Sequence, residues 1–292
     1  MPTGHARWEW NTNPNNNPQP MKNKLLALLL ATAGLLAIHG SAQAQCSFRN
    51  TAFNAGENLA YNLYFNWKFV WVKVGFANMI TSDHNYQGKP SYRCALTTHT
   101  SRKADKFFMM RDTLLSYVGH DLAPLYYRKG AREGKRYYID EVFYSYPQGK
   151  THIRQHRMNA QGEHFRQENT YSDCVYDMLS IFMRSRSFNP EGWKKGHVVK
   201  IPIVDGDSRI NAQLRYSGTT VVKADDGHRY RCLQLSYMEP DKGKMKEIVR
   251  FYVTDDDNHI PVRLDMFLRF GSAKAFLSSM KGTRSQIKAM VK

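Results

Sequence analysis

Apolar and polar positions alternate along most of this chain. In residues 57–66 every second side chain is apolar, at Leu59, Tyr61, Leu63 and Phe65. A period of two places successive side chains on opposite faces of a strand, so this stretch predicts a strand with one face in a core. Comparable stretches continue to residues 261–270, and turn signals such as Asp-Gly pairs separate them.

The connections between the predicted strands are short, and none has the length and helical periodicity that a parallel sheet requires. Sequential hairpins with one apolar face predict an all-β, mainly antiparallel fold. We expect a highly curved sheet that forms a partly open barrel. Residues 68–81 are apolar on both faces around Gly75, which indicates a strand that is covered on both sides or bent at the glycine.

Residues 171–188 are the one stretch with clear helical periodicity. Apolar side chains recur there at the spacing of one helical face, at Val175, Met178, Leu179 and Phe182. We expect Ser172 and Asp173 to cap the start of this helix. Arg184 and Arg186 suit its negative C-terminal end.

We expect this short amphipathic helix to pack at the concave face or the mouth of the sheet, where it closes one end of the barrel. Two compatible interpretations follow. In the first, the helix is only a core element. In the second, it is the wall or lid of a ligand cavity, with Arg184 and Arg186 at the rim. The second predicts that replacing both arginines by alanine leaves the melting temperature nearly unchanged and weakens binding of an anionic amphiphile.

The beginning of the chain has the organisation of an export signal. Residues 21–44 contain a basic start, an apolar run and a small-residue site, which indicates a secretory signal peptide cleaved near Ala44. Residues 1–20 are rich in asparagine and proline, and we interpret them as an upstream extension that results from a wrongly assigned start codon; the alternative is a genuine N-terminal extension. The protein is therefore expected to be periplasmic or otherwise exported, and to have no transmembrane segment once the signal is removed.

The exported part is expected to be one domain with a short appendage. Residues 45–272 are predicted to form a single β-rich domain, and residues 273–292 a basic C-terminal tail. Gln45 occupies the position where a lipoprotein signal needs a small residue, so we expect no lipid on Cys46.

Four cysteines remain after that cleavage, namely Cys46, Cys94, Cys174 and Cys232. In an oxidising compartment an even number of cysteines predicts at least one disulfide, and the spacing does not rank the three pairings. The spacing also fits no zinc signature, and we expect neither a metal nor a cofactor.

The formal net charge of the chain is +17. An excess of this size attracts polyanions. Nucleic acid is the usual partner of a basic cytosolic protein. For an exported chain we expect instead an anionic amphiphile, lipid or envelope polymer, with peripheral membrane contact and no nucleic acid.

Several short motifs resemble, in their order, one family of exported bacterial proteins. The first pieces are Gly56-Glu57 and Gly75-Phe76-Ala77, followed by residues 177–180. Two later pieces are "GHRYRCLQL" at 227–235 and "YVTDDDNHIPVRL" at 252–264. The family is catalogued as domain of unknown function 3108, and the resemblance spans about residues 48–270. It implies an antiparallel, partly open barrel and brings no established activity or catalytic residue.

The chain contains no nucleophile elbow, zinc-protease motif, phosphate-binding loop or dinucleotide fingerprint. Asp177 and Ser180 lie one helical turn apart, but no histidine base can be placed beside them. His152 and His156 would lie about 13 Å apart on a strand, too far for one metal ion. We therefore expect a protein that is not an enzyme.

Three functions remain. The favoured one is an exported, non-enzymatic binding or carrier protein that holds an amphiphile or lipid-modified partner in the curved sheet. The alternatives are an envelope scaffold or interaction protein that docks through its basic surface, and a hydrolase of unknown type. An elongated apolar cavity would favour the carrier over the scaffold. The candidate ligand-binding residues lie on the helix and the first strand, and they are Arg184, Arg186, Leu179, Phe182, Leu59, Tyr61, Leu63 and Phe65.

Overall fold

A computed structural model of the protein describes residues 46–67, 70–268 and 271–292. The predicted upstream extension and signal peptide lie outside the described residues. These ranges contain two short helices, α1 (Arg102–Asp105) and α2 (Met178–Ser185), with one 3-10 turn at Pro147–Gly149. The strands are β1 (Asn58–Trp67), β2 (Val70–Tyr86), β3 (Lys89–Thr100), β4 (Met110–Gly119), β5 (Pro124–Glu133), β6 (Arg136–Ser145), β7 (Thr151–Met158), β8 (His164–Tyr171), β9 (Val198–Asp205), β10 (Ser208–Lys223), β11 (Arg229–Asp241), β12 (Lys244–Thr254), β13 (Pro261–Leu268), β14 (Gly271–Lys281) and β15 (Met290–Val291).

All strands belong to one antiparallel sheet. Its order is β8-β7-β6-β5-β4-β3-β2-β1-β14-β13-β12-β11-β10-β9, and β15 pairs with β11. Each half is a meander of consecutive hairpins, and the pairing of β1 with β14 joins the halves. The strands β8 and β9 stand at the two ends of this order, so the sheet curves without closing. The predicted antiparallel, partly open barrel is confirmed.

The period of two decides which side chains face inward. Leu59, Tyr61 and Leu63 on β1 are buried, and Ala60 and Asn62 between them are only partly covered. The pairing register shifts between Leu63, which meets Gly75, and Tyr64, and such a bulge favours the bent strand over the strand covered on both sides. A side chain at Gly75 would collide with the carbonyl oxygen of His99 on β3, so this close approach requires glycine.

The helix α2 is shorter than predicted and begins at a different cap. Asp177 is the N-cap, and its carboxylate accepts the N–H groups of Leu179 and Ser180 at 3.0 and 2.8 Å. The caps predicted at Ser172 and Asp173 are therefore wrong. Asp173 instead forms an ion pair with an arginine of β10, because the chain before Asp177 is extended rather than helical.

The helix closes one end of the sheet, as predicted. Leu179 and Met183 are buried in the main apolar core, together with Phe53 from the segment before β1, Leu122 and Ile153. Those partners come from the connections that precede β1 and β5 and from β7, all at the same end of the strands. We call this the closed end. Met178, which was predicted to pack with this stripe, is 48 % exposed and faces the interior space described below.

The C-terminal residues are part of the sheet, so the predicted tail is a further correction. β14 crosses the boundary expected at residue 272 and lies between β1 and β13. Its inward positions are small or apolar, at Ala273, Ala275 and Leu277, and β1 completes their pairing. The last strand, β15, then pairs with Arg229 and Tyr230.

One disulfide is present, which confirms the prediction of at least one. It joins Cys46 to Cys174, with a Cα–Cα distance of 5.4 Å. The bond ties the segment before β1 to the segment that leads into α2. Cys94 and Cys232 are buried free thiols, and burial raises the pKa of each to about 12.

Candidate functional site

The curved sheet surrounds a large cavity of about 1470 Å³. Its wall comes from inward-facing side chains of β1–β4 and β9–β14, and α2 lies at its base. Pro190 and Trp193, in the connection from α2 to β9, complete the wall. The cavity opens where the β1–β2, β3–β4 and β13–β14 connections lie, which we call the mouth.

Six of the eight predicted ligand-binding residues line this cavity. They are Tyr61, Leu63 and Phe65 of β1, and Leu179, Phe182 and Arg186 at the base. Leu59 is fully buried in the packed core at the closed end. Arg184 lies outside the lining residues. The strand and the helix that the sequence pattern selected, β1 and α2, therefore line the same cavity on the concave face of the sheet.

Arg186 was predicted at an exposed rim, and this is wrong. Its side chain is 3 % exposed and forms an ion pair with Glu57, which is 1 % exposed. The Nη1 and Nη2 groups donate to the two carboxylate oxygens at 2.5 and 2.8 Å. Nε and Nη2 also donate to the carbonyl oxygen of Asn258 at 3.3 and 3.0 Å.

The surroundings keep Arg186 charged. Burial opposes that charge, but the Glu57 carboxylate outweighs burial and holds the pKa of Arg186 above its usual value. The guanidinium also lies over the ring of Phe53, 5.4 Å from its centroid. Because four of its five N–H donors have partners within the protein, Arg186 is a structural element at the base of the cavity.

Arg184 is held by aromatic rings. Its guanidinium lies 4.7 Å from the ring centroid of Phe48 and 4.9 Å from that of Tyr176. Burial lowers the pKa of Arg184. Its Nη1 atom is buried and has no hydrogen-bond partner within the described part of the chain. This arginine therefore anchors the helix to the segment before β1, on the side away from the cavity.

Two residues at the base of the cavity were not identified as candidate site residues from the sequence. Glu57 supplies the partner of Arg186, and His259 lines the cavity, with its Nδ1 atom 2.5 Å from the carbonyl oxygen of Arg186. Burial lowers the pKa of His259, which favours the neutral ring. Both residues belong to the motifs of the family resemblance, and that was the available signal. Only tertiary contact shows what they bind.

Polar side chains of the cavity concentrate toward the mouth. Lys103 of α1, Glu133 at the end of β5 and Glu239 near the end of β11 line that part. Asp112 of β4 lies close by, and burial raises the pKa of its carboxyl to about 6. The deeper walls are apolar, with Leu96, Leu235 and Phe251 among them. The cavity therefore has an apolar interior and a polar entrance.

The residues considered for catalysis have structural roles. The carboxylate of Asp177 caps α2, and the hydroxyl of Ser180 donates to the backbone carbonyl of Asp177 at 3.1 Å. Both side chains are fully buried. The His156 ring lies between Glu141 and His164, 2.8 Å from each. Over the ranges that the structure describes, no group of three or more acidic, histidine or cysteine side chains is arranged to hold a metal ion.

Fold and site together define a class: a partly open β-barrel-like cup with an apolar cavity, closed at one end by a single helix. The chain belongs to the family described as "Protein of unknown function (DUF3108)", whose profile matches residues 60–278. A search of curated proteins found no match.

The fold is similar to a crystallised "Beta-barrel-like Protein of Domain of Unknown Function DUF1849 from Brucella abortus". The similarity has a TM-score of 0.50 at 11 % sequence identity, and it covers 79 % of this chain and 98 % of that one. At this identity the likeness concerns the fold alone. None of the helices among the described residues is long and apolar enough to cross a membrane.

Proposed function

We propose that the protein is an exported, non-enzymatic carrier that holds an anionic amphiphile, with the apolar part in the cavity and the polar head at the mouth. The observation that carries this proposal is the cavity itself. Its volume of about 1470 Å³ exceeds the range of roughly 300–1,000 Å³ that suits drug-sized ligands. A scaffold protein has no need for an interior space of this size.

The apolar depth supports the hydrocarbon part of the ligand. Each CH₂ group transferred from water into such surroundings contributes about 0.8 kcal/mol. Arg186, the guanidinium that lines the base, is neutralised by Glu57, and four of its five N–H groups already donate within the protein. A ligand therefore gains little by placing its charge at the base, and it gains most by placing its chain there.

The polar entrance supports the position of the headgroup. Lys103 lines the mouth and is exposed, so its ammonium group can pair with a phosphate or carboxylate. Glu133 and Glu239 also line the mouth, so we expect the anionic group at Lys103 rather than across the whole entrance. The hydroxyl-bearing residues Thr98 and Thr100 line the same side of the cavity. The net charge of +17 favours an anionic rather than a cationic ligand.

Export to the periplasm is part of the proposal. It is supported by the signal-like residues 21–44 and by the disulfide between Cys46 and Cys174, since disulfides persist in oxidising compartments. The capping roles of Asp177 and Ser180 support a carrier over a hydrolase, because neither side chain reaches the cavity as a nucleophile.

Native mass spectrometry of protein purified from its own periplasm, followed by lipid extraction, tests the proposal. We expect a bound anionic amphiphile. Thr98→Trp should fill part of the cavity and reduce the bound fraction at least tenfold. The matched control is Thr97→Trp, because Thr97 is the neighbouring residue of β3 and faces outward. Ligand-free wild-type protein that also fails to bind added amphiphile, or equal binding by the two variants, would contradict the proposal.

A further inference from the structure

Exposed apolar side chains are concentrated around the mouth of the cavity. Seven of them lie on three neighbouring connections or on the strand ends beside them, and together they form what we call the apolar rim: Val70, Trp71, Val72, Phe107, Phe108, Phe267 and Leu268. Phe107 is 84 % exposed, Val70 62 % and Phe108 54 %. The three connections are adjacent because β4, β3, β2, β1, β14 and β13 are consecutive in the sheet.

The rim is continuous with the cavity. Val72, Phe107, Phe108 and Leu268 belong both to the rim and to the cavity lining. An apolar chain that enters or leaves the cavity at this end therefore passes over these residues. Contiguous exposed apolar surface of this kind, bordered by polar residues, marks an interaction site.

Cations border the rim on the β3–β4 connection. Arg102, Lys103 and Lys106 are exposed on or directly after α1. The carboxylate of Asp105 is held by Arg111 at 2.6 Å, so it does not neutralise them. Within the described part of the chain none of the three cations has an ion-pair partner. Phe107 and Phe108 follow this basic turn directly in the sequence.

We propose that the apolar rim docks onto the surface of a bilayer that contains anionic phospholipid, which places the cavity mouth against the lipid. This inference rests on the proposed function and names the surface from which the carrier takes or to which it gives its ligand. Aromatic side chains beside a basic turn suit this occupant, because the rings enter the headgroup region while the cations contact anionic lipids.

Vesicle co-sedimentation tests the docking. Wild-type protein should bind vesicles of phosphatidylglycerol and phosphatidylcholine, bind vesicles of phosphatidylcholine alone far more weakly, and lose binding at high salt. Each Lys or Arg near an anionic surface contributes about fivefold to the partition constant, so Arg102→Gln with Lys106→Gln should weaken binding about 30-fold. Phe107→Ser should weaken it at least tenfold.

The matched control removes two charges at the closed end. Lys223→Gln with Arg229→Gln changes exposed cations beside the β10–β11 turn and should leave vesicle binding unchanged. Phe76→Ser is the control for the aromatic change, since Phe76 lies on the outer wall of β2 and is 40 % exposed.

A second measurement separates this inference from the proposed function. Titration with a short-chain anionic amphiphile below its micelle concentration reports on the cavity without vesicles. Arg102 and Lys106 do not line the cavity, so their double variant should bind this probe normally while failing on vesicles. Thr98→Trp should bind vesicles normally and should fail to bind the probe.

Three results would overturn the docking proposal. The first is normal probe binding by a wild-type protein that ignores anionic vesicles, and this result leaves the carrier function intact. The second is equal vesicle binding by the rim variants and their controls. The third is a dimer, seen by light scattering, that Phe107→Ser disperses, because the rim would then be an interface between copies of this chain.

Discussion

Removal of the Arg186 guanidinium should destabilise the protein severely. In Arg186→Met the Glu57 carboxylate, 1 % exposed, loses both N–H groups that neutralise it. The change also removes two hydrogen bonds to the Asn258 carbonyl and the packing on Phe53. Removal of one partner from a buried ion pair costs about 3–5 kcal/mol of stability. We expect a loss near the upper value, because Arg186 also joins three separate segments of the chain.

A double-mutant cycle separates the pair from the packing. Glu57→Gln combined with Arg186→Met leaves no uncompensated charge, so the double variant should be more stable than Arg186→Met alone by about 1–3 kcal/mol. Guanidinium denaturation at pH 7, followed by tryptophan fluorescence, measures each free energy of unfolding. Arg184→Met is the control, because this half-buried arginine contacts two rings and should cost only about 1–2 kcal/mol.

Two outcomes would contradict a stabilising buried ion pair: a free energy of unfolding for Arg186→Met within about 1 kcal/mol of the wild type, or a double variant that is no more stable than the less stable single variant. The first outcome would support the expectation drawn from the sequence, in which both arginines stand at an open rim and their loss leaves the melting temperature nearly unchanged. Intact mass spectrometry before and after denaturation controls for a bound ligand, which would add its own stabilisation.

Three further predictions concern the closed end. Reduction of the bond between Cys46 and Cys174 should cost about 2–5 kcal/mol, seen as a lower melting temperature in dithiothreitol, and thiol counting without reductant should find two thiols in denatured protein and almost none in native protein. Burial raises the pKa of Asp177 to about 6, so its contribution is complete below pH ~4 and about 3 kcal/mol is lost as pH rises through ~6. Asp177→Asn keeps the cap, and its stability relative to the wild type should rise over that interval; a flat difference from pH 4 to 7 would refute this assignment. Leu179→Ala removes a buried side chain, 3 % exposed, and should cost about 2–5 kcal/mol in urea denaturation, whereas a loss under 1 kcal/mol would mean that the helix does not anchor the core.

The sequence correctly predicted features that depend on residues close together along the chain. Alternation along β1 identified Leu59, Tyr61 and Leu63 as inward-facing, because successive side chains of a strand point to opposite faces whatever the strand pairs with. The helical spacing at Leu179 and Phe182 located α2 for the same reason. Its start was misplaced, because Ser172, Asp173 and Asp177 are all acceptable caps and only the extended pairing of Tyr176 with Ile203 excludes the earlier ones.

Partners that are distant along the chain could not be predicted in this way. The Arg186 side chain meets Glu57 from 129 residues away, and Cys46 meets Cys174 from 128 residues away. Local periodicity carries no information on such distances, since any of several charges or cysteines satisfies the same local pattern. The sheet order brings these residues to one end of the barrel and decides among them.

The sequence by itself determined the strand-rich architecture, the inward face of each clear strand and the presence of one helix that closes an end. Tertiary structure alone decided that residues 273–281 form a strand between β1 and β13, because their small inward side chains show little apolar contrast until a partner strand covers them. It also decided that the cavity stays open in the middle. At the base of the cavity, α2 fills the space between opposite walls of the sheet. The volume of the cavity beyond the helix follows from the curvature of the whole sheet rather than from any one strand.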